Sequence, residues 1–348
     1  MTPRERWLAV VGRKSTDRVP TDYWGTPEMN AKLKTELGCA DDEELWRRLG
    51  IDRPHWVWCE LRDPHAEERK GDVWGVQTRR VEYAGGAGIY DEVVDPPLAA
   101  METVEELKRF QWPDPAWWDD SGVAGQCKGL DEWVVGGGYF SGFYLYSNMR
   151  GVELAMEDLI ANPEFVHYAL ERIFEIHYSF IEKNLKAAGG RIDYVEVTED
   201  LGMQEAPLFS MATFREFIRP RMKKMMDLVH RHGARVMTHS DGAIRAFIPE
   251  LIEMGTNILN PIQWRCAGMD REGLKRDFGK DLVFHGGVDN QKTLPFGSVE
   301  DVRKEVRDNI RILGAGGGYI LAPCHNVQVI TPVANVVAMY DEGLKVPR

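Results

Sequence analysis

Short apolar runs and amphipathic helical patterns alternate along most of the chain. The apolar runs have the length and bounds expected of buried strands. Eight such runs occur: Val19–Trp24, Pro54–Trp58, Trp133–Gly138, Tyr194–Thr198, Arg235–His239, Asn257–Asn260, Leu282–His285 and Tyr319–Ala322. Strands that alternate with helices predict right-handed crossovers and a parallel sheet. Eight strands predict an α/β fold of the (β/α)8 TIM-barrel type. The alternative is a doubly wound sheet, which usually has about five or six strands.

The helical patterns carry apolar residues at the spacing of one helix face. Between the later strands they cover Asn162–Ala188, Ser210–His232, Ala243–Met254, Asp270–Phe278 and Ser298–Leu313. A first helix is predicted to begin at Thr2 and Pro3, before Trp7, Leu8 and Val11 repeat at helical spacing. The segment Ser298–Asp301 resembles a capping box, which places the start of the last of these helices.

Residues 59–131 interrupt this alternation. Asp72–Val81 and Tyr83–Val94 flank the glycine-rich segment Gly85–Gly88, which predicts an antiparallel hairpin. A helix over Thr103–Phe110 follows. We therefore predict one domain over residues 1–348, with an insertion at about residues 59–131 after the second strand that folds over the barrel mouth.

Polar residues follow four of the predicted strands. In a barrel of this type the chemistry takes place at the carboxyl ends of the strands, so these residues are candidates for a site. They are Thr198–Asp200, His239–Gly242, His285–Asn290 and Pro323–Asn326.

These segments together supply imidazole, carboxylate and thiol groups, which are ligands of zinc. The preferred trio is Glu199, His239 and Cys324, which would leave a fourth position open for substrate. One alternative stays open. Cys324 is also suited to be a small buried hydrophobic residue, and His325 is then the active imidazole.

Composition and charge limit the classes of partner that we expect for this protein. The chain of 348 residues has a net charge of −12, which predicts no binding to nucleic acid or to anionic membranes. No apolar run reaches the length of a membrane helix. The five widely spaced cysteines favour free thiols in a reducing compartment, so we expect a cytoplasmic protein.

Several motifs together resemble the uroporphyrinogen decarboxylase superfamily, in particular its branch of corrinoid-dependent methyltransferases and their uncharacterised relatives. The motifs are Arg4–Ala9 with Asp17–Pro20, His239–Gly242, Gly286–Asp289 with Leu294–Gly297, and Gly316–Asn326. The resemblance covers nearly the whole chain and implies the same barrel fold. It implies function less directly, because one fold carries different chemistries.

The sequence departs from the superfamily at two places. Decarboxylases of the family carry an arginine-rich segment for porphyrinogen carboxylates, whereas this chain has Asp22–Glu28, without arginine, at the corresponding place. Thiol-methylating members bind zinc through His-x-Cys and a later Cys. Here His239 and Cys324 match the outer pair, and Asp241 replaces the middle cysteine. An oxygen ligand makes the site harder, which favours a methyl ether or methylamine over a thiol.

The resemblance therefore implies a zinc-dependent methyltransferase that moves a methyl group between a small methylated substrate and a corrinoid. In this reading Asp241 and His325 are catalytic, and either Glu199 or Asp241 is the third zinc ligand. The expected substrate-binding residues are Tyr23, Trp24, Tyr139, Tyr144 and Asp289.

The chain has no Asp-x-His-x-x-Gly cobalamin motif, so a separate corrinoid protein is expected as partner. The resemblance also allows for a homodimer. Two rival functions are a metal-independent decarboxylase that uses Asp241, Asp289 and His325, and a non-catalytic binding member of the fold.

Overall fold

The computed structural model describes residues 1–86 and 88–345. The strands are β1 (His55–Trp56), β2 (Glu60–Leu61), β3 (Gln77–Tyr83), β4 (Gly88–Val94), β5 (Trp118–Asp119), β6 (Val135–Ser141), β7 (Tyr194–Thr198), β8 (Arg235–His239), β9 (Ile258–Asn260), β10 (Val283–Val288) and β11 (Tyr319–Pro323).

The helices of the first half of the chain are α1 (Pro3–Val11), α2 (Pro27–Leu37), α3 (Asp42–Leu49), α4 (Val104–Arg109), α5 (Val123–Gln126), α6 (Phe143–Arg150), α7 (Val152–Ala161) and α8 (Pro163–Ala187). Those of the second half are α9 (Met211–Thr213), α10 (Arg219–Arg231), α11 (Ile248–Met254), α12 (Arg271–Phe278), α13 (Thr293–Phe296), α14 (Val299–Leu313) and α15 (Val333–Lys345). Among the described residues, no helix is both long enough and apolar enough to cross a bilayer.

Seven strands form one parallel sheet in the order β1-β6-β7-β8-β9-β10-β11. Helices lie between consecutive strands from β6 onward, as crossover connections require. The predicted α/β class with a parallel sheet is confirmed, and the architecture is consistent with a TIM-type barrel.

The first predicted strand, Val19–Trp24, is present as isolated bridges rather than as a strand. Thr21 bridges Leu321 of β11, and the Thr21 carbonyl also accepts the Asp52 N–H at 2.9 Å. The segment therefore has partners on both sides, β11 and the chain that leads into β1. Its ladder stays short because Pro20 has no N–H and because the Thr21 N–H donates to the Asp52 carboxylate at 3.0 Å.

Two helix predictions need correction, and proline explains both. The predicted helix Ser210–His232 contains a π-helical turn over Phe214–Ile218. Pro220 follows this turn and cannot donate the usual i→i−4 hydrogen bond. The helix predicted from Ala243 begins at Ile248 instead, next to Pro249, because proline fits best in a first turn. The predicted capping box of Ser298 and Asp301 is confirmed at the start of α14.

An antiparallel pair lies between β1 and β6, as predicted. β3 pairs with β4 from Gln77↔Val94 to Tyr83↔Gly88, so the first strand of the hairpin begins at residue 77 and not at 72. Ala87, in the predicted turn, lies outside the described residues. That this region is an insertion over the mouth stays a prediction.

The sheet separates two apolar clusters. The larger cluster joins one face of the strands to the surrounding helices. The smaller cluster lies on the other face and includes Trp7 of α1, whose ring stacks on Tyr194 at 5.3 Å between centroids. Its buried members are Trp7, Val10, Val134, Tyr194, Met237, Ile258, Val283 and Ile320. Because side chains alternate along a strand, residues two positions after these face the same side of the sheet, closer to its carboxyl end.

Candidate active site

Two histidines and an aspartate meet at the carboxyl end of the sheet. His239 is the last residue of β8, Asp241 follows two residues later, and His325 comes just after β11. One ligand atom from each of the three lies within 4.8 Å of the others. His239 Nε2 is 3.9 Å from Asp241 Oδ1, and His325 Nε2 is 3.9 Å from Asp241 Oδ2. Gly242 holds a positive φ of 87°, which lets the turn after Asp241 pack against the backbone of Gly202.

This group fits a divalent metal by its donor chemistry. Two imidazole nitrogens and one carboxylate oxygen are ligands of catalytic zinc, which keeps a fourth position for water or substrate. The Nδ1 atom of His239 is hydrogen-bonded to Asn260 Oδ1 at 2.5 Å, so Nε2 is the nitrogen that faces Asp241. Within the described part of the chain, these three residues form the group of ligand-type side chains that converges in this way.

Burial shifts the pKa values of Asp241 and His325 in this group. Burial raises the pKa of Asp241, and the nearby Asp200 raises it further, while the two imidazoles lower it. Burial also lowers the pKa of His325, which keeps its imidazole neutral and able to donate a lone pair. Gln263 orients Asp241, since its Nε2 donates to Oδ1 at 2.9 Å. A cation would relieve the cost of desolvating the Asp241 carboxylate.

The predicted ligand Glu199 has a different partner. Its carboxylate accepts the N–H groups of Gly142, Phe143 and Tyr144 at 2.5, 2.7 and 3.1 Å. These donors begin α6, whose first residues have no side-chain cap of their own. Glu199, the residue just after β7, therefore completes the start of α6. Burial raises its pKa to about 7, against the lowering effect of the three N–H groups.

Cys324, the other predicted ligand, is buried, and its thiol donates to the Ile262 carbonyl at 3.2 Å. Burial raises the pKa of this thiol well above its usual range. The predicted trio Glu199, His239 and Cys324 is therefore not the group that the structure brings together. His239 converges with Asp241 and His325 instead.

Among the predicted substrate-binding residues, Trp24 makes ring contacts with this group. Its ring stacks on His239, with centroids 5.3 Å apart and planes inclined by 17°, and it contacts His325 edge-on at 6.5 Å. Tyr139 lies on β6 in register with Glu196 of β7, and burial raises the pKa of its phenol. Tyr144 is exposed in the first turn of α6.

Two other predicted binding residues form contacts with neighbouring parts of the chain. Tyr23 is buried against Trp46 at 4.8 Å between centroids, and its hydroxyl donates to Asn30 Oδ1 at 2.8 Å. The Asp289 carboxylate is buried and accepts from Arg265 Nε at 2.6 Å and from the Thr293 N–H at 3.2 Å. These contacts hold the loop after β10.

Four further buried polar residues lie near the group, and only the last of them was among the strand-end candidates from sequence: Asp22, Glu196, Asn260 and His285. Asn260 is the last residue of β9. A polar side chain at the carboxyl end of a strand is the same signal that pointed to His239, so it also identifies Asn260. Glu196 is inside β7, and its carboxylate forms no hydrogen bond with any described residue. Its pKa is raised to about 8 by burial and by the nearby Asp22. Strand alternation marks Glu196 and His285 as facing the same side as Tyr194 and Val283, but this signal does not identify a function.

The curved parallel sheet of seven strands and the surrounding helices define an α/β protein whose architecture is consistent with a TIM-type barrel, and the candidate ligand group lies at the carboxyl ends of its strands. A model of the uroporphyrinogen decarboxylase (URO-D) family matches residues 95–343, more than two thirds of the chain. The chain belongs to this family, and the predicted membership is confirmed.

One solved structure supports the fold. A methyltransferase from Methanosarcina mazei is similar, with a TM-score of 0.67 and 19% identity over 99% of this chain and 98% of that chain. A xylose isomerase domain protein from Alicyclobacillus acidocaldarius subsp. acidocaldarius has a TM-score of 0.39 and 13% identity over 69% and 84% of the two chains. Dispersin B has a TM-score of 0.41 and 11% identity over 95% and 99%. The last two likenesses are too weak to carry an argument. A search of the curated proteins found no match.

Proposed function

We propose that this protein is a zinc-dependent methyltransferase that moves a methyl group between a small methyl ether or methylamine and a corrinoid carried by a partner protein. The observation that carries the proposal is the convergence of His239, Asp241 and His325 at the carboxyl end of the sheet. The structural likeness to a methyltransferase over nearly the full length of both chains supports it. We propose that the fold is a closed eight-stranded barrel, in which residues 20–26 take the place of the eighth strand between β11 and β1.

His239, Asp241 and His325 would hold the zinc. A zinc ion held there would supply Lewis acidity: it would stabilise the charge that develops on an ether oxygen, or accept the lone pair of an amine as it departs. In the transfer, the bond between heteroatom and methyl carbon would break with its electron pair left on the heteroatom, and the methyl carbon would bond to the electron pair of the partner's cobalt(I) corrinoid. A methyl ether would leave as an alkoxide or phenoxide that takes up a proton, whereas a quaternary methylamine would leave as a neutral amine and need none.

The aromatic side chains would bind the rest of the substrate. Trp24 lies over His239 and excludes water from that side of the imidazole. Tyr139 and the exposed Tyr144 follow along β6 and the start of α6. An aromatic surface of this kind attracts a methylammonium group by cation–π contact and a methyl ether by apolar contact. A mouth without the arginine-rich segment of the decarboxylases is a poor match for a polycarboxylate.

The proposed ligand group is tested by metal analysis of the purified protein. We expect one zinc per chain, and its loss in His239→Ala and Asp241→Ala. Cys324→Ser should keep the metal, because the Cys324 thiol already donates to a backbone carbonyl that a hydroxyl can also reach. His230→Ala is the matched control, since His230 is an exposed histidine on α10 that contacts Asn257.

Loss of zinc in Cys324→Ser with retention in Asp241→Ala would restore the trio predicted from sequence and overturn the present one. Wild-type protein that takes up no zinc under any preparation condition would overturn the metal-dependent function itself.

The reaction is tested with added cob(I)alamin and two substrate series, aryl methyl ethers and quaternary methylamines. We expect the absorbance of the added cobalamin to change to that of its methylated form with one of the series, and not with His239→Ala. Release of carbon dioxide from a small carboxylic acid by the metal-free protein would instead support the decarboxylase alternative. Binding of such compounds without turnover would support a non-catalytic member of the fold.

A further inference from the structure

A continuous chain of hydrogen bonds runs from Asp22 to His239 beneath the ligand group. Asp22 Oδ2 is 2.9 Å from His285 Nε2, and His285 Nδ1 is 2.6 Å from Asn260 Nδ2. Asn260 Oδ1 is 2.5 Å from His239 Nδ1. All four side chains are buried, with exposed fractions between 0% and 8%. His239, Asn260 and His285 come from the neighbouring strands β8, β9 and β10, and Asp22 comes from the segment that borders β11.

The donors and acceptors along this chain follow from its first member. A carboxylate only accepts hydrogen bonds, so His285 Nε2 must carry a proton toward Asp22. An imidazole with one proton then presents a lone pair at Nδ1, which accepts from the Asn260 amide nitrogen. This orients the Asn260 oxygen toward His239, whose Nδ1 must donate. The lone pair of His239 is thereby left on Nε2, the atom that faces Asp241.

Asp22 constrains His239 by a second route as well. The Trp24 indole N–H donates to Asp22 Oδ2 at 3.2 Å, and the Tyr23 N–H donates to Asp22 Oδ1 at 2.7 Å. The Trp24 ring that is held in this way is the ring that stacks on His239. One carboxylate therefore determines both the proton position and the plane of the imidazole.

We infer that Asp22, His285 and Asn260 are positioning residues that hold His239 as its Nδ1–H tautomer, with Nε2 available to a metal ion. The role given to these residues depends on the proposed metal site, whereas the hydrogen bonds that connect them do not. Outer-shell partners of metal-bound histidines act in this manner, and their removal typically costs about 10- to 100-fold in metal affinity. Asp22→Asn tests it most directly, because an amide can present an N–H to His285 and reverse every donor along the chain, as a similar exchange does in the serine protease triad.

The first measurement needs no metal and no activity. Nitrogen-15 NMR of histidine in the metal-free protein, assigned by difference with His239→Gln, should show His239 as the Nδ1–H tautomer. In Asp22→Asn this tautomer should be lost or mixed with the Nε2–H form. His177→Gln is the matched control, because His177 is a buried histidine bonded to the Ile173 carbonyl and stacked on Trp74, in the packing of α8. It should leave the His239 signals unchanged.

The second measurement is the zinc dissociation constant from competition with a chromophoric chelator. Asp22→Asn and Asn260→Leu should each raise it by about 10- to 100-fold, with His177→Gln at the wild-type value. Trp24→Phe keeps an aromatic ring but removes the indole N–H, so it should retain the tautomer. If Trp24→Phe reproduces the full effect of Asp22→Asn, the hydrogen-bond chain is not the cause and the inference is overturned.

The two proposals fail separately. If the wild-type protein binds no zinc but His239 is the Nδ1–H tautomer and loses it in Asp22→Asn, the positioning chain stands and the metal function falls. If His239 is the Nε2–H tautomer in the folded wild-type protein, the positioning chain is wrong whatever the metal does. Because the wild-type tautomer alone decides this point, a variant that fails to fold does not remove the test.

Discussion

Two layers of side chains face the same side of the parallel sheet and differ in almost every property. The layer nearer the amino ends of the strands is apolar and is covered by Trp7 of α1. The layer two residues further along is polar and ends at the ligand group. Four strands contribute to both layers, through the pairs Tyr194 and Glu196, Met237 and His239, Ile258 and Asn260, and Val283 and His285.

This comparison shows how one set of strands serves stability and chemistry at once. The period of two along a strand sends both members of each pair to the same face. The apolar layer excludes water from below, so the polar layer above it is desolvated even though it lies toward the mouth. Desolvation raises the pKa of Glu196 and strengthens each hydrogen bond that aligns His239. The raised pKa of Glu196 and the strong hydrogen bonds of the polar layer therefore depend on the apolar layer beneath it.

The largest effect on stability is expected from the apolar layer. Met237→Ala removes a fully buried side chain and should lower the free energy of unfolding by about 2–5 kcal/mol. Urea unfolding followed by circular dichroism measures it. Met203→Ala is the matched control, because Met203 is 60% exposed. Equal unfolding midpoints for the two variants would show that the apolar layer is not packed as described.

The next effect concerns Glu196 in the polar layer and depends on pH. Its pKa is about 8 in the folded chain against an ordinary value of 4.5, so the unfolded chain binds fewer protons between these values. The free energy of unfolding of the metal-free protein should therefore fall as pH rises from about 5 to 8. The loss is a few kcal/mol in total, at about 1.4 kcal/mol for each unit of pKa difference.

Glu196→Gln cannot ionise and should lack this part of the pH dependence. The measurement is a series of urea unfolding curves for both proteins across that pH range. If the free energy of unfolding has the same pH dependence in both proteins, Glu196 is better solvated than its burial indicates.

The smallest effect is expected at Glu199, which is not one of the paired residues that form the two layers. Glu199→Ala leaves the three N–H groups at the start of α6 without their acceptor and should cost about 1–3 kcal/mol in unfolding free energy. Its zinc content should stay at the wild-type value. Glu153→Ala is the matched control, because Glu153 is exposed in the first turn of α7. Loss of zinc in Glu199→Ala would return Glu199 to the ligand group.

Prediction from sequence succeeded where the signal is local. The strands from β7 to β11, the capping box of α14 and the β3–β4 hairpin follow from alternation, caps and turn residues that lie close together in the chain. The segment 19–24 was harder to predict, because its backbone does not form a regular ladder. Pro20 has no N–H, and the Thr21 N–H donates to the Asp52 carboxylate instead of to a strand. The site was predicted in part. His239, Asp241 and His325 were recognised as chemical candidates, whereas Glu199 and Cys324 have the right ligand types but use their polar atoms on α6 and on Ile262.

The amino-acid pattern by itself determined the parallel α/β fold, the family and the strand ends at which polar residues collect, since each depends on neighbours within a few positions. Only the tertiary structure decided which of those polar residues share a ligand group and which complete a helix or a loop. Asp22 and His285 are 263 positions apart and meet because the sheet curves until its first and late segments face each other. Register and curvature are collective properties of the whole sheet, so no local pattern specifies the contacts they create.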